Sequence, residues 1–559
     1  MVRGLLERIA APVRGLHQAA YLLAALTLAS QILALLRDRA FAHTFGASET
    51  LDLYYAAFRV PDLVFALVSS LVSAYILIPR ITGMDRETTR RILSESATFL
   101  FGLGGLLCVG LAVFMLSFLA FLYPDFVNSA HQAEFVLLSR LLLIQPILLG
   151  LSGVIGSVVQ VHRRFFLFSL SPLLYNLGII LGAIVFYPHY GLLGIGFGVI
   201  VGAVAYLAVN VPVVVRAGVM PRLRFPTSSI MLPIVRASIP RSLALGMGSI
   251  TALVLTSLAS RIGTGAVSVF TFASNLEAVP LALIGSSYAV AAFPALSEAR
   301  AAENHGEFLR ILSSSARHII LWSLVALGLI AVLRAHIVRV ILGTGAFDWN
   351  ATRLTAALLV VLAVGLVAQG LVLLFSRALY AARQSWRPLI YQVVAGALTV
   401  LLALSFLSGN DESRSVLAGF LRVGDVAGTS VLFVALASTL GQIFLVVLSL
   451  IALRRVAPGL ARSLVRPCRD GAAAALVGGL VAYGTLMLEG GVASLTTLIS
   501  VSLEGFLAGL VGLAAAALAL FLLKNEEILT MADAFDRLVR VPADRSAALT
   551  PSAEEPVQP

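Results

Sequence analysis

Residues 91–97 read Arg-Ile-Leu-Ser-Glu-Ser-Ala, and residues 310–316 read Arg-Ile-Leu-Ser-Ser-Ser-Ala. Six of the seven positions are identical, at an offset of 219. A second pair, Pro172-Leu173-Leu174-Tyr175-Asn176 and Pro388-Leu389-Ile390-Tyr391-Gln392, lies 216 apart, and Pro79 and Pro294 lie 215 apart. Single matches are common in apolar sequence. Three in the same order at nearly one offset are not, so the chain carries two copies of one unit.

The solvent of that unit follows from composition. Of 559 residues 59% are apolar and 12% charged, against about 25% charged in soluble domains, and the mean hydropathy is +0.98. So much apolar surface cannot be hidden inside a water-facing core. A bilayer-spanning helix needs ~20 mostly apolar residues. Fourteen such runs occur, near 19–36, 53–79, 94–122, 133–158, 166–187, 190–215, 230–260, 266–297, 314–333, 351–376, 385–408, 426–453, 466–488 and 494–523. They lack period-two alternation and are twice the length of a barrel strand, which excludes a β-barrel. The expected fold is an all-α polytopic membrane protein of about 14 transmembrane helices.

The repeat joins runs 1–6 (an N-lobe, 19–229) to runs 7–12 (a C-lobe, 230–460), leaving runs 13 and 14 (461–523) as an appendage. Six is even, so both copies enter the membrane in the same direction, as parallel repeats about an axis along the membrane normal. Substrate sites in such proteins lie near the midplane between the lobes, exposed alternately to each side. Gly194, Gly196, Gly198 and Gly202 in the sixth run fit close helix packing.

Thirty-nine basic and 28 acidic residues give a net charge of +11, and 38 of the 39 bases are Arg. They stand singly or in pairs between apolar runs without aromatic interleaving, which points to membrane flanks rather than nucleic acid. With the N-terminus in the cytoplasm, 27 Lys/Arg fall on that side and eight on the other. The positive-inside rule then places both termini on the cytoplasmic side. Residues 1–18 are expected to form a cytoplasmic amphipathic N-terminus and 524–559 a cytoplasmic tail. In that tail Ile528, Ala532, Phe535 and Val539 share one face that would lie on the inner surface. The charged Arg37-Asp38-Arg39 argues against signal cleavage at Ala40-Phe41-Ala42. Cys108 and Cys468 are too far apart for a zinc motif or a disulfide framework.

An ionisable group at bilayer depth costs at least ~2.5 kcal/mol unless it faces a cavity or a partner, so each is a functional candidate. The first two runs concentrate them: Arg37, Asp38, Arg39, Asp52, Arg59 and Asp62. Arg37, Asp38 and Asp52 either pair to fix the outer ends of spans one and two or line a cavity. Asp52, Arg59 and Asp62 are seven and three residues apart, roughly one helical face, so all three are candidates for a lobe interface. Glu277, with Asn275 nearby, is the acid deep in a span of the second lobe, and function and structural pairing both fit it. Arg140 in span four is a further candidate for cavity lining, whereas Arg236 and Arg241 read as snorkelling to the inner interface. Pro146, Pro172, Pro212, Pro240, Pro280 and Pro388 interrupt spans and free backbone carbonyls, as in helices that move. No Ser-His-Asp order, P-loop or metal-ligand spacing is present, and no loop exceeds about 20 residues. The chain therefore reads as a transporter and not an enzyme, without a cofactor, driven by a coupling ion, the membrane potential or passive exchange.

The stretch from Ser30 to Pro79 resembles the start of the MurJ/MviN lipid II flippase family. Ser30, Arg37-Asp38, Phe45-Gly46-Ala47, Asp52, Ala57-Phe58-Arg59, Pro61 and Pro79 match that family's pattern. Gly345-Ala346-Phe347 and Ser376-Arg377-Ala378-Leu379-Tyr380-Ala381 match it again in the second lobe. The resemblance implies the multidrug/oligosaccharidyl-lipid/polysaccharide exporter fold and a lipid-linked peptidoglycan precursor as substrate. It also implies arginines in the central cavity, suited to a diphosphate by their bidentate fork. This chain carries Gln31, Phe65 and Asn275 where such arginines are expected, and Ser70 where a Glu is usual. Arg37 remains. Three lost cationic donors at ~1.5–3 kcal/mol each would weaken diphosphate binding by several kcal/mol.

The leading expectation is therefore a lipid II flippase in which Arg37 meets the diphosphate, Asp38 and Asp52 orient or couple, and a groove beside spans 13–14 takes the lipid tail. Its expected partners are membrane lipid, the lipid-linked precursor and the cell-wall synthesis machinery. The alternatives are an exporter of another lipid-linked glycan or a less charged substrate, and a non-transporting membrane scaffold. An open cavity between the lobes separates transport from the scaffold.

Overall fold

A computed structural model describes residues 16–409, 411–488, 498–525 and 527–528. The first fifteen residues of the expected amphipathic N-terminus, and the tail from 529 onward with its amphipathic stretch, lie outside the described residues. The described chain is helical, with no strand among the described residues. Its long helices are α1 (Leu16–Phe45), α2 (Glu49–Ile81), α3 (Arg86–Val113), α4 (Gln132–Val161), α5 (Phe165–Tyr190), α6 (Leu192–Ala217) and α7 (Ser228–Ser260). They continue as α8 (Ala266–Ala301), α9 (His305–Leu342), α10 (Trp349–Ala363 and Leu366–Ala381, bent by 45°), α11 (Trp386–Ser408), α12 (Val431–Leu453), α13 (Leu460–Leu488) and α14 (Leu498–Leu522). Twelve are long and apolar enough to cross a membrane, and the bent α10 is a thirteenth when its halves count as one span. The helix α1 carries the first apolar run of the sequence.

Polar side chains set the helix starts. Ser48 Oγ accepts from Leu51 N, Asp85 Oδ2 from Glu87 N and Thr88 N, Asn304 Oδ1 from Glu307 N, and Asp348 Oδ1 from Ala351 N. Each satisfies N–H groups that the first turn leaves open. Helix ends show the internal repeat in the backbone itself. Left-handed residues occur at Gly46 and Gly265, at Gly83 and Glu303, and at Arg163 and Arg383, offsets of 219, 220 and 220. Positive φ is uncommon outside glycine, so two arginines in that state at equivalent places mark one turn made twice. In both, the next residue closes the helix, Arg164 N on Val159 O at 3.0 Å and Gln384 N on Leu379 O at 2.9 Å.

Two pseudo-equivalent helices are broken. The helix α2 has a 3-10 turn at Ser69–Val72, and α8 has a π turn at Leu281–Ser286 directly after Pro280. Such breaks inside long helices cluster where function or motion requires them. Elsewhere packing is close: Gly198 and Gly202 of α6 lie directly on the α5 backbone, as expected of small residues in apolar helix pairs. The extra pair α13–α14 packs on α9 and is fastened at one end by buried Asp470, which accepts from Asn525 at 3.2 Å and pairs with Arg469 at 3.1 Å. Arg317 of α9 adds a 3.6 Å pair with Glu527.

Candidate transport site between the two repeats

At the end where α1 finishes and α2 and α8 begin, the two repeats are stitched together. Asp52, fully buried in the first turn of α2, accepts from Gly265 N at 2.6 Å, from Ser268 N at 2.7 Å and from Ser268 Oγ. These N–H groups open α8, so an acid of the first repeat caps a helix of the second, where the helix dipole favours negative charge. Arg39 donates to the carbonyls of Val340 and Ile341, and Ala346 N donates to His43 O at 3.0 Å. Around them Phe41 meets Tyr54 edge to face at 5.1 Å, Tyr55 meets Phe272 at 6.0 Å, and Phe272 meets Phe347 at 5.6 Å.

One step deeper, Arg37 donates through Nε and Nη2 to Asp38 Oδ1 at 3.0 and 2.8 Å, and through Nη1 to Asn176 Oδ1 at 3.1 Å. The other oxygen of Asp38 accepts from Asn275 Nδ2 at 3.0 Å. This chain of bonds runs from α5 through α1 to α8, linking the repeats. Asp52 does not join the Arg37–Asp38 pair, contrary to one expectation. The three N–H and O–H donors of α8 satisfy it instead.

Beyond the seam α2 divides two cavities. One, of about 510 Å³, lies between α2, α4 and α7 and is lined by Asp62, Phe65, Ser69, Ser70, Ser73, Gly150 and Arg241 among others. The second, of about 270 Å³, lies within the second repeat, with Glu277, Gln369, Gln392, Gln442 and Thr399 in its wall and Arg59 reaching it from α2. Asp52, Arg59 and Asp62 thus do not share one environment. At 100° per residue Arg59 and Asp62 are about 60° apart around α2, and the wall between the two cavities passes between them, Arg59 lining the smaller and Asp62 the larger. Glu277 Oε1 accepts from Gln369 Nε2 at 2.6 Å. Ser70 Oγ meets Ser242 Oγ at 2.7 Å and Arg80 donates to Pro233 O at 3.2 Å, closing α2 on α7.

Two candidates stand apart. Arg140 is exposed and donates to Ala112 O at 2.9 Å, serving the carbonyl end of α3, so it lines neither cavity. Gln31 is half-buried in α1 and also lines neither. Conversely Arg241, expected at the membrane interface, faces the larger cavity. Asn176, Ser268 and Gln369 carry no charge and were not singled out. Two of them left a trace in sequence: Asn176 ends the repeated segment Pro172–Asn176, and Ser268 lies 216 residues from Asp52, an offset of the repeat.

The family described as "Lipid II flippase MurJ" matches residues 41–502. The chain belongs to that family. Among its relatives, the "Lipid II flippase MurJ" of Burkholderia cenocepacia is 24% identical over 388 residues, covering 67% of this chain and 74% of the relative. A "Probable lipid II flippase MurJ" of Thermotoga maritima is 27% identical over 405 residues, covering 71% and 82%. Among solved structures, "Lipid II flippase MurJ, inward closed conformation" superposes with a TM-score of 0.69 at 19% identity, covering 88% of this chain and 98% of that one. An inward-facing multidrug resistance MATE family transporter of the MOP superfamily gives 0.62 at 17% identity, covering 77% and 96%. The fold is thus that of a multi-pass MurJ-type membrane protein, and the family is one of transporters. Against the MurJ pattern, Phe65 and Ser70 stand on the wall of the larger cavity, where the resemblance implies charged groups. Asn275 is engaged with Asp38. The cation that the cavity does have comes from α7, as Arg241.

Proposed function

We propose that this protein moves lipid II, the undecaprenyl-diphosphate-linked peptidoglycan precursor, outward across the bacterial inner membrane by alternating access. The observation that carries the reading is the cavity of about 510 Å³ between the repeats, with Arg241 and Asp62 brought to it from different repeats. Arg241 suits a diphosphate, and the hydroxyls of Ser69, Ser70 and Ser73 suit a glycan. The seam at Asp52 is the outer gate and the α2–α7 contact at Ser70 and Ser242 the inner one. The charge bias of 27 to 8 supports an orientation with both termini inside. Arg37 and Asp38 position the seam and respond to a charged headgroup, and the surface between α9, α13 and α14 takes the lipid tail. The work is transport rather than catalysis, driven by a coupling ion or the membrane potential, beside the cell-wall synthesis machinery.

The test is complementation in cells depleted of their own lipid II flippase. Growth restored by the full chain, and lost with Arg241→Gln at equal membrane levels, is expected. Failure of a properly inserted chain would overturn the reading. A second reading, export of a less charged lipid-linked glycan, is favoured by Phe65 and Ser70 in the cavity wall. It predicts that Phe65→Arg does not improve lipid II transport.

A further inference from the structure

We propose that the pocket between the ends of α8 and α10 binds a phosphate-bearing anion, with Arg300 and Arg383 as its guanidinium ligands and His305 as a third donor. The proposal goes beyond the transport reading above and holds whatever the cargo. The pocket has a volume of about 640 Å³ and is walled by Phe293, Arg300, Glu303, His305, Tyr380 and Arg383 among others. It shares no residue with the cavity assigned to the substrate. With both termini inside, it lies at the cytoplasmic end of the second repeat.

The arginines belong to the repeated unit. Arg80 and Arg300, like Arg163 and Arg383, are 220 residues apart. In the first copy Arg80 is spent on the carbonyl of Pro233, at 3.2 Å. In the second copy both arginines stand in one pocket wall and, among the described residues, neither is ion-paired. Glu307, the acid in the first turn of α9, is held instead by Arg310 at 2.7 and 2.6 Å. Nor are the two guanidiniums consumed as helix caps. Asn304 N closes the end of α8 on Ala299 O, and Gln384 N closes α10 on Leu379 O, both at 2.9 Å, so backbone N–H groups serve those carbonyls.

Arg300 Nη1 lies 3.3 Å from His305 Nδ1. A guanidinium only donates, so Nδ1 accepts and the ring proton sits on Nε2, which makes His305 a donor beside the two arginines. His305 also opens α9, a helix of 38 residues, whose start favours negative charge. Among the described residues Glu303 is the one acid in the wall, against two guanidiniums, so the pocket is cationic. Glu303 and Arg383 are both held left-handed, at φ 54° and 60°, and such backbone states cluster at ligand clamps. Guanidinium forks from two separate helices suit an anion with several oxygens on a tetrahedral centre. A carboxylate, with two coplanar oxygens, fills one fork and leaves the other. A lipid headgroup and a soluble phosphate share this chemistry, and the test separates them.

The test uses the full chain in two settings. In nanodiscs of neutral phosphatidylcholine, labelled inorganic pyrophosphate is the soluble probe; in detergent, native mass spectrometry follows phosphatidylglycerol as the lipid probe. At least one probe is expected to bind saturably, and which one does so identifies the source of the phosphate. Its affinity should fall about tenfold or more in Arg300→Gln and in Arg383→Gln. It should rise several-fold in Glu303→Gln, a gain that misfolding does not produce. Arg455→Gln, which removes an exposed cation outside the pocket, should leave it unchanged. The proposal is overturned if neither probe saturates, if the double variant Arg300→Gln, Arg383→Gln binds as the parent does, or if Arg455→Gln weakens binding as much as the pocket variants.

Discussion

Asp52 and Ser268 are 216 residues apart, and the carboxylate of the first accepts both the backbone N–H, at 2.7 Å, and the hydroxyl of the second. That separation is an offset of the internal repeat, so the bond joins the starts of α2 and α8 across the axis relating the two halves. If this seam is the outer gate proposed above, it needs only one acid and the N–H groups that a helix start leaves open.

Replacing Asp52 by Ala leaves the N–H groups of Gly265 and Ser268 buried without acceptors. An orphaned buried donor costs about 1–3 kcal/mol, so the closed outer end should lose population by roughly five- to 150-fold at 1.4 kcal/mol per decade. The check is thiol labelling of Ala266→Cys, buried in the closed seam. It should accelerate at least several-fold in Asp52→Ala and less in Asp52→Asn, which keeps one acceptor oxygen.

Gly46 precedes α2 at φ +63°, and a Cβ there would run into the carbonyl of Ala346. Gly46→Ala should therefore strain the same gate twice, through the left-handed backbone, at about 1–2 kcal/mol, and through contact with the second repeat. Its labelling rate at Ala266→Cys is expected to rise, and Gly83→Ala, with φ +79° but nothing within 4 Å of the added Cβ, should leave that rate unchanged.

The helices were legible because lipid demands long apolar runs, and each run lies on a helix. The repeat was legible for the same reason that its turns recur: one unit is folded twice. The seam was not. Asp52 is satisfied mainly by backbone N–H groups, which every residue but proline has, so no residue type announced the partner. Arg241 reads in sequence as a snorkelling residue at the start of span seven; α7 runs unbroken from Ser228 to Ser260, and Arg241 stands in the wall of the larger cavity. Glu277 meets Gln369 from a separate helix, 92 residues away, a pairing without a sequence spacing.

Glu95 shows why a repeat diverges at one position. It is the single mismatch between the two seven-residue segments, with Ser314 opposite. Its side chain is fully buried, accepts from Thr227 N at 2.9 Å and Thr227 Oγ1 at 2.7 Å, and pairs with Arg91 at 3.0 Å. The segment it holds is the connector between the repeats, which only the first copy needs to anchor. Glu95→Ala should lower the detergent-solubilised unfolding stability by about 2–4 kcal/mol, from orphaned buried donors, and Ser314→Ala by less than about 0.5 kcal/mol. Thr227→Val should cost about 1 kcal/mol and be non-additive with Glu95→Ala.

Arg353 grips Asp425, in the loop before α12, with both guanidinium nitrogens at 2.6 Å. Those hydrogen bonds hold the Asp425 carboxyl below its ordinary value. A depressed carboxylate stabilises the folded state above its unfolded value, about pH 4, and loses that contribution as pH falls through the lower folded value. Asp425→Asn should thus melt below the parent at pH 7, by an equal margin down to about pH 5, with the two curves converging only below about pH 4. High salt should shrink the margin because the pair is exposed.

Arg241 and Arg140 offer the sharpest contrast, since both are arginines within apolar helices and only one faces the cavity between the repeats. If Arg241 supplies the charge-assisted bonds to the diphosphate, Arg241→Gln should weaken binding of a prenyl diphosphate by about 1.5–3 kcal/mol, or roughly 10- to 150-fold. Arg241→Lys keeps the charge but not the planar fork, and should recover part of the loss. Arg140 instead satisfies the carbonyl of Ala112 at the end of α3, so Arg140→Gln should change stability slightly and binding not at all. Equilibrium binding of a labelled prenyl diphosphate to the purified chain, at two salt concentrations, reads all three variants. Equal affinity for Arg241→Gln and the parent would remove this arginine from the site and leave the cavity to a substrate without the diphosphate.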